Sequence, residues 1–230
     1  MKSYLLRQPT GATKATQAAR EIVIKISSMV KKGRRADEFL SQREKDPEYL
    51  RRRQEQEART QQYLNEMYQA EIPLIDALRE AGVRVKTVWD LANTQAQYPD
   101  ALPILFQHLQ RPYPDSVLTG IASALAVPES KRWWKPLLEL FQANQEEKVN
   151  GVKTALAAAL AAAADDDVVG DVIRLVEDPR HGQHRVILLS VLGRSARPEA
   201  SEALARAAED PQLVKEARLQ LRRLARRRSM

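Results

Sequence analysis

The sequence predicts an all-α fold, in which about five helical hairpins stack into an α-solenoid. Apolar residues recur at helical spacing, and no stretch alternates as a β-strand would. A repeat of 31 to 35 residues runs through the second part of the chain. Pro and Asp residues stand between its apolar segments, where they end or cap helices. Each repeat is therefore expected to be one pair of helices that stacks on its neighbours to bury its apolar face.

Three kinds of landmark define the repeat. The triplet Glu-Asp-Pro occurs at 177–179 and again at 209–211, a spacing of 32 residues. A Leu followed by a small residue recurs near the end of each second helix at intervals of 35, 32 and 32: Leu125-Ala126, Leu160-Ala161, Leu192-Gly193 and Leu224-Ala225. Apolar residues of the first helices keep a similar period: Leu105, Leu138, Ile173 and Leu204. These landmarks predict hairpins over residues 71–93, 98–127, 133–164, 168–194 and 200–228.

The first part of the chain does not repeat. We therefore divide the sequence into a basic helical N-terminal arm or cap, 1–70, and a repeat domain, 71–230. Between residues 15 and 30 the apolar positions predict an amphipathic helix, which Gly33 can end.

A further helix is predicted to begin at Asp46-Pro47-Glu48. This triplet offers a cap, a first-turn proline and an acid at the positive end of the helix dipole. Residues 51–62 are nearly without apolar side chains, so we expect that part to be solvated or held by a partner. Leu64 and Met67 are expected to bring the helix back to the core. In the repeat domain, the Ala-rich run 155–164 should let one second helix pack closely between its neighbours.

Composition excludes several classes of protein. The chain has no Cys, which rules out a disulfide scaffold, a thiol nucleophile and any Cys-ligated metal site. The first residues contain no apolar stretch like that of a signal peptide, and no run of roughly 18 apolar residues occurs anywhere. We therefore expect a cytoplasmic protein that does not associate with membranes.

Positive charge is concentrated at the two ends of the chain. Residues 1–70 hold 15 basic and 9 acidic residues, and residues 213–230 hold 7 and 1. The middle, 71–212, is mildly acidic, with 15 basic and 20 acidic residues. The basic balance is therefore no simple sign of nucleic-acid binding, which would need a continuous basic stripe on one face.

Two stretches of the sequence resemble HEAT or HEAT-like repeats, of the kind also found in phycobilisome lyase-type proteins. Within residues 168–224 the resemblance rests on Ile173-Arg174-Leu175-Val176-Glu177-Asp178-Pro179 and on Val186-Ile187-Leu188-Leu189-Ser190-Val191-Leu192-Gly193. The segment from Leu78 to Asn93 is similar to bacterial HEAT-repeat proteins of unassigned role. The resemblance implies a right-handed α-solenoid from a family in which scaffolds and adaptors predominate.

A basic ladder is the first candidate binding surface. Lys153, Arg185 and Arg218 occupy near-equivalent positions in three successive second helices, and Arg222 follows one turn later. In HEAT-like solenoids the second helices line the concave face, so the resemblance implies that the ladder faces a partner there. The alternative is that these are solvated charges whose stems cover apolar neighbours.

The turn before the helix of Arg185 is a second candidate. Arg180, His181, His184 and Arg185 gather at a helix start, where an anion can bind. A metal site is not predicted, because two histidines three residues apart supply too few ligands. The alternative is that this segment only forms the turn between two helices.

Aromatic residues and basic runs complete the candidates. Trp133 and Trp134 are adjacent on a helix and cannot face the same core, so one is expected at a repeat junction or at the surface, where it would be a binding hot spot. The alternative is that both are partly buried. Two basic runs are candidate phosphate contacts or solubilising ends: Lys31, Lys32, Arg34 and Arg35, and then Arg226, Arg227 and Arg228.

These observations predict a non-enzymatic scaffold, adaptor or inhibitor that binds a partner protein on the concave face of the repeats, without a cofactor. The alternative is a nucleic-acid binder that uses the basic ends and the ladder as a phosphate track. A third class, an enzyme resembling the HEAT-like alkylpurine DNA glycosylases, lacks support because no motif of that family is present. Phosphate-binding loops, nucleophile elbows and zinc-protease motifs are also absent from the sequence.

Overall fold

The computed structural model describes residues 46–145 and 150–228, and all regular structure in these two ranges is helical. The all-α prediction is therefore confirmed for this part of the chain. Its α-helices are α1 (Pro47–Glu80), α2 (Val88–Ala92), α3 (Ala101–Leu109), α4 (Asp115–Ala124), α5 (Trp134–Ala143), α6 (Val152–Ala163), α7 (Val169–Glu177), α8 (Arg185–Arg194), α9 (Pro198–Ala207) and α10 (Val214–Arg228). Short 3-10 helices precede three of these: Pro128–Trp133, Asp166–Val168 and Pro179–His184.

Contacts divide the chain into two units, Met1–Tyr63 and Leu64–Met230. The predicted amphipathic helix over 15–30 lies outside the described residues. In the first unit, helix α1 begins at the predicted triplet, where the Glu48 N–H donates to a carboxylate oxygen of Asp46 at 2.9 Å. The first turns of α1 are solvent-exposed, and charge pairs one turn apart lie along them, for example Arg52 with Glu48 and Arg53 with Glu57.

In the second unit, α1 joins the core later than the sequence suggests. Leu64 is 53% exposed and Met67 is half-buried, so the expectation that Leu64 returns to the core is wrong. Full burial begins one or two turns on, at Glu71, Leu74 and Leu78. Helix α1 runs without a break across the predicted boundary between residues 70 and 71.

The buried Glu71 links α1 to α2. Its carboxylate accepts the N–H of Val88, the first residue of α2, which otherwise has no partner within the helix. Burial raises the pKa of Glu71, and the nearby charge of Asp90 adds to the effect. A carboxylate of α1 thus satisfies the start of the next helix.

The remaining helices pack as successive pairs. The first helix of each pair contacts the second: α3 with α4, α5 with α6, α7 with α8, and α9 with α10. The second helices also contact one another in sequence, from α4 to α6, α8 and α10, and α2 contacts α4 in the same way. The four pairs agree with the hairpins predicted over 98–127, 133–164, 168–194 and 200–228.

The repeat landmarks lie in the core. Leu125, Leu160, Leu192 and Leu224 are buried in all four pairs, whereas in the first helices Leu138 and Ile173 are only partly buried. Helix α6 contacts α4, α5 and α8, and most alanines of its Ala-rich run are buried. The prediction that small residues let this helix pack closely between neighbours is confirmed.

Two glycines mark close approaches between helices. A Cβ at Gly120 in α4 would collide with a methyl group of Val88 and would lie 3.2 Å from the indole of Trp89. A Cβ at Gly193 in α8 would collide with the side chain of Gln220 in α10. At both positions a neighbouring side chain occupies the space of a Cβ atom and would have to move if one were added.

Candidate binding face on the second helices

Solvent-accessible positions of the second helices recur every four residues. They also recur from helix to helix at the repeat spacing of 35, 32 and 32, and the residues between them are mostly buried. We call this set the open face: Thr119 and Ser123 on α4, Thr154, Ala158 and Ala162 on α6, Val186, Ser190 and Arg194 on α8, and Arg218, Arg222 and Arg226 on α10. Because the helices that carry it contact one another in sequence, its positions form adjacent rows.

The side chains of the open face are small and mostly uncharged on α4, α6 and α8. Their hydroxyl groups bond within the chain: Thr119 donates to the Asp115 carbonyl at 2.6 Å and Ser190 to the Ile187 carbonyl at 2.8 Å. The guanidinium of Arg194 donates to the Ala164 carbonyl at 3.0 Å. This part of the face therefore leaves room for a partner and offers little charge.

The last helix is different. Lys215, Arg218, Arg222 and Arg226 are exposed on one side of α10, within an arc of about 80° at 100° per residue. We call these four residues the cationic stripe. None of them has an acidic partner among the described residues. The acid of this helix, Glu216, lies on another side and accepts a hydrogen bond from Gln220 at 2.7 Å.

An exposed tryptophan stands at the other end of the series of second helices. Trp89 of α2 is 41% exposed, and its indole lies against Gly120 of α4. Sequence reasoning singled out Trp133 and Trp134 and missed Trp89. Helical spacing could have predicted its exposure, because Val88 and Leu91 form the buried side of α2 and Trp89 is rotated about 100° from Val88.

The predicted basic ladder is not an exposed surface. Lys153 and Arg185 are 3% and 4% exposed, whereas Arg218 and Arg222 are solvent-exposed. The reason is register: positions 153 and 185 are 32 residues apart, and the next equivalent position is the buried Ala217. Arg218 is one residue further, which turns it about 100° around the helix axis and onto the open face.

Arg185 is used inside the fold. Its guanidinium donates to a carboxylate oxygen of Asp210 at 2.9 Å, to the Val176 carbonyl at 3.1 Å and to the Gly182 carbonyl at 2.9 Å. A further bond reaches the side chain of Gln212 at 3.1 Å. Arg185 thus joins α8 to the end of α7 and to the turn before α10. Lys153 is buried with its ammonium 5.5 Å from the ring centre of Phe141.

The four residues of the predicted anion site do not converge on an empty position. Arg180 bonds the carboxylate of Asp178 at 2.6 Å, and His181 lies 3.7 Å from the same carboxylate. The imidazole of His184 is 3.0 Å from the hydroxyl of Thr154, and Arg185 binds Asp210. The chain itself supplies carboxylates to two of these cations, and the binding of an external anion at this turn stays a prediction.

Asp178 is the centre of that turn. Its carboxylate also accepts the N–H of Arg180 at 3.0 Å, which caps the 3-10 helix Pro179–His184. The hydrogen bonds from the Arg180 guanidinium, more than any other cause, hold its pKa at about 2. Burial lowers the pKa of the neighbouring His181, whose ring packs on Phe141 with ring centres 4.8 Å apart.

The two adjacent tryptophans diverge as their spacing requires. Trp134 is buried and donates from its indole N–H to Asp171 at 2.8 Å. Trp133 is half-buried, stacks on Phe106 with ring centres 5.0 Å apart and carries the Arg132 guanidinium 4.0 Å above its ring. Trp133 therefore lies at a junction between successive helix pairs, whereas Trp134 is a core residue that a partner does not reach in this conformation.

Other candidates are only partly described. Lys31, Lys32, Arg34 and Arg35 lie outside the described residues, as does the side chain of Arg228. Arg226 and Arg227 are exposed, and Arg227 donates to the Gly193 carbonyl at 3.3 Å.

In the two described ranges, no three His, Asp or Glu side chains come together as metal ligands. No helix of these ranges has the length and apolar character needed to cross a membrane.

Comparison with known proteins gives no relative. No family model, no curated protein and no solved structure matches the chain.

Proposed function

We propose that this chain is a non-enzymatic scaffold or adaptor, built as a HEAT-like α-solenoid, that binds a partner protein on its open face. The packing of helix pairs supports the solenoid, because every second helix contacts the second helix of the next pair. A repeat protein with this pattern presents an extended surface of residues at equivalent positions.

The open face carries the proposal. From α4 to α8 it presents side chains such as Ala158 and Ser190, over which the backbone of a partner can approach closely. It lies between an exposed aromatic residue, Trp89, and the cationic stripe on α10. Aromatic residues and arginine are the residue types most enriched among binding hot spots.

The buried polar residues next to this face favour binding over catalysis. Arg185 is fully engaged in hydrogen bonds that join helices, and His184 contacts the hydroxyl of Thr154. These groups stabilise the rows beneath the open face. The open face itself carries small side chains of modest polarity, and basic side chains at one end, which suit the binding of a protein.

The experiment is native purification of the tagged chain followed by mass spectrometry, with a variant that blocks the face. Ala158→Arg places a long charged side chain in the middle of the open face. Ala205→Arg makes the same change at an exposed position of α9 and is the matched control. We expect a protein partner in stoichiometric amount with the wild type and the control, and at least tenfold less with Ala158→Arg. Equal recovery with all three chains would contradict the proposal.

A nucleic-acid binder is the second candidate, and one observation favours it. Arg223 and Arg227 add to the cationic stripe on α10, so six exposed basic side chains of one helix are available for phosphates. This function predicts that an oligonucleotide binds with an affinity that falls steeply with salt. Replacing Arg222 and Arg226 by Gln should then reduce the steepness of log affinity against log salt by about 1.4 to 1.8, since each phosphate contact contributes about 0.7 to 0.9.

A further inference from the structure

We infer that the partner presents an acidic segment that lies along the open face in one direction, with its carboxylates on the cationic stripe and an apolar side chain against Trp89. This inference rests on the proposed function and adds the chemistry and the orientation of the partner.

The cationic stripe is the first step of the argument. Its four basic side chains point to one side of α10 over about 16 Å, the rise of eleven residue steps from Lys215 to Arg226. Several basic side chains elsewhere in the second unit are neutralised inside the chain, for example Arg185 by Asp210, Arg206 by Glu177 and Lys131 by Asp167. Among the described residues nothing neutralises the stripe, and a binding site for negative groups needs this property.

The second step separates carboxylates from phosphates. A nucleic-acid strand carries a phosphate at every nucleotide, so its binding track needs cations at regular intervals. Beyond α10, the open face offers mainly Ser, Thr, Ala and Val, and its one further cation, Arg194, already donates to the Ala164 carbonyl. A protein segment can place its acidic residues at one end only. The uneven charge of the face therefore fits a protein segment better than a nucleic acid.

Trp89 supplies the third step, a contact of different chemistry at the opposite end. Its indole is held against Gly120, so the exposed part of the ring is fixed in place and loses little entropy when a partner binds. Rigid aromatic surfaces of this kind anchor apolar side chains. Because one end of the face is aromatic and the other cationic, a partner with an apolar residue and an acidic cluster has one favoured direction.

The length of the segment follows from helix spacing. Four helix-to-helix contacts separate α2 from α10, and packed helices lie 8–10 Å apart, so the two ends are roughly 30–40 Å apart. An extended chain advances about 3.3 Å per residue, so about ten to twelve residues span the face.

The experiment is a selection from a library of random 12-residue peptides displayed on phage, with the full chain as the target. We expect enriched peptides to carry Asp or Glu at one end and a large apolar or aromatic residue at the other, always in the same order. The triple variant Arg218→Glu, Arg222→Glu, Arg226→Glu should bind synthetic copies of these peptides at least tenfold more weakly. Trp89→Ala should weaken binding of the same peptides and remove the aromatic preference from a repeated selection.

A matched control keeps the total charge change the same. The triple variant Lys86→Glu, Lys135→Glu, Arg197→Glu reverses three exposed cations elsewhere in the second unit and should leave peptide binding within twofold. Circular dichroism at 222 nm verifies that every variant keeps its helix content. Equal loss in both triple variants would contradict the inference, because only net charge would then matter.

The remaining outcomes separate the inference from the proposed function. Enriched peptides that fail to bind Ala158→Arg but lack an acidic end would overturn the inference and leave the scaffold in place. If no enriched peptide is sensitive to Ala158→Arg, both fail. A 30-nucleotide single strand that displaces the peptides from the wild type, and binds more tightly than they do at 150 mM salt, would overturn the inference and the proposed function in favour of nucleic-acid binding.

Discussion

At the scale of single residues, position within the helix turn decides what a basic side chain does. Arg185 and Arg218 occur in neighbouring second helices, 33 residues apart. Arg185 is buried and bonds Asp210 together with two carbonyl groups, whereas Arg218 is exposed on the cationic stripe. One residue of difference in register therefore separates a buried arginine that joins helices from a solvent-exposed arginine.

Arg185→Leu should destabilise the fold, whereas Arg218→Leu should not. Loss of the Arg185 guanidinium leaves the carboxylate of Asp210 and the carbonyls of Val176 and Gly182 without their donor. We expect a decrease of about 2–4 kcal/mol in the free energy of unfolding, as for other broken buried pairs. Arg218→Leu should change it by less than about 0.5 kcal/mol. Urea unfolding followed by circular dichroism measures both, and similar values for the two variants would contradict the assignment.

The low pKa of Asp178 in the folded state predicts that the stability of the fold depends on pH. Its pKa of about 2 in the folded state lies below the usual value of 3.8, so its contribution to stability is present above pH 4. That contribution is lost as the pH falls through the folded pKa. Arg180→Gln should raise the pKa of Asp178 toward its usual range, which NMR titration of the side-chain carboxyl carbon measures. A pKa near 3.8 in the wild type would contradict the ion pair with Arg180.

At the scale of helices, spacing in the sequence predicts the elements well. The period of about 32 residues predicted the four helix pairs and the buried leucines at 125, 160, 192 and 224, because burial of one helix side follows directly from apolar spacing.

The sequence predicted the candidate site less well. Lys153 and Arg185 recur at the repeat spacing, but they lie on the buried side of their helices. A repeat of 32 or 33 residues locates a position only to within one residue, and one residue turns a side chain by about 100°. The burial of Arg185 depends on Asp210 and Gln212, which lie 25 and 27 residues away, and no local pattern reveals that contact. The prediction that Leu64 returns α1 to the core was wrong for a related reason, because helical spacing does not tell which turn of a long helix first meets the core.

Two glycines test the helix packing. Gly120→Ala places a methyl group against Val88 and Trp89, where α2 meets α4, and overpacking of this kind destabilises by about 1–3 kcal/mol. Gly170→Ala is the matched control in α7, since the nearest atom to its new methyl group is a side-chain nitrogen of Arg174 at 3.9 Å.

The control should be stabilised by up to about 1 kcal/mol from helix propensity alone. We therefore expect the melting temperature to fall for Gly120→Ala and to rise for Gly170→Ala, which thermal unfolding followed by circular dichroism measures. Shifts of the same sign would show that α2 and α4 do not approach as closely as described.

At the scale of the whole molecule, the proposed function depends on one surface, the open face. The second helices carry the open face, their buried sides hold the pairs together, and the last helix adds positive charge that no acid of the described ranges pairs. Because charge at the edge of an interface acts mainly on association rate and specificity, we expect the stripe to select the partner and the small residues to set how closely it packs.

Site-specific crosslinking can show whether the open face binds a protein, and the absence of Cys from the sequence makes the experiment simple. A single cysteine replaces Ala158 on the open face or Ala205 on α9, and a benzophenone maleimide is attached to it. After irradiation in a lysate of the source cells, mass spectrometry identifies the products. We expect one discrete protein adduct at position 158 and none at position 205. The same adducts at both positions, or an adduct with nucleic acid only, would contradict the proposed function.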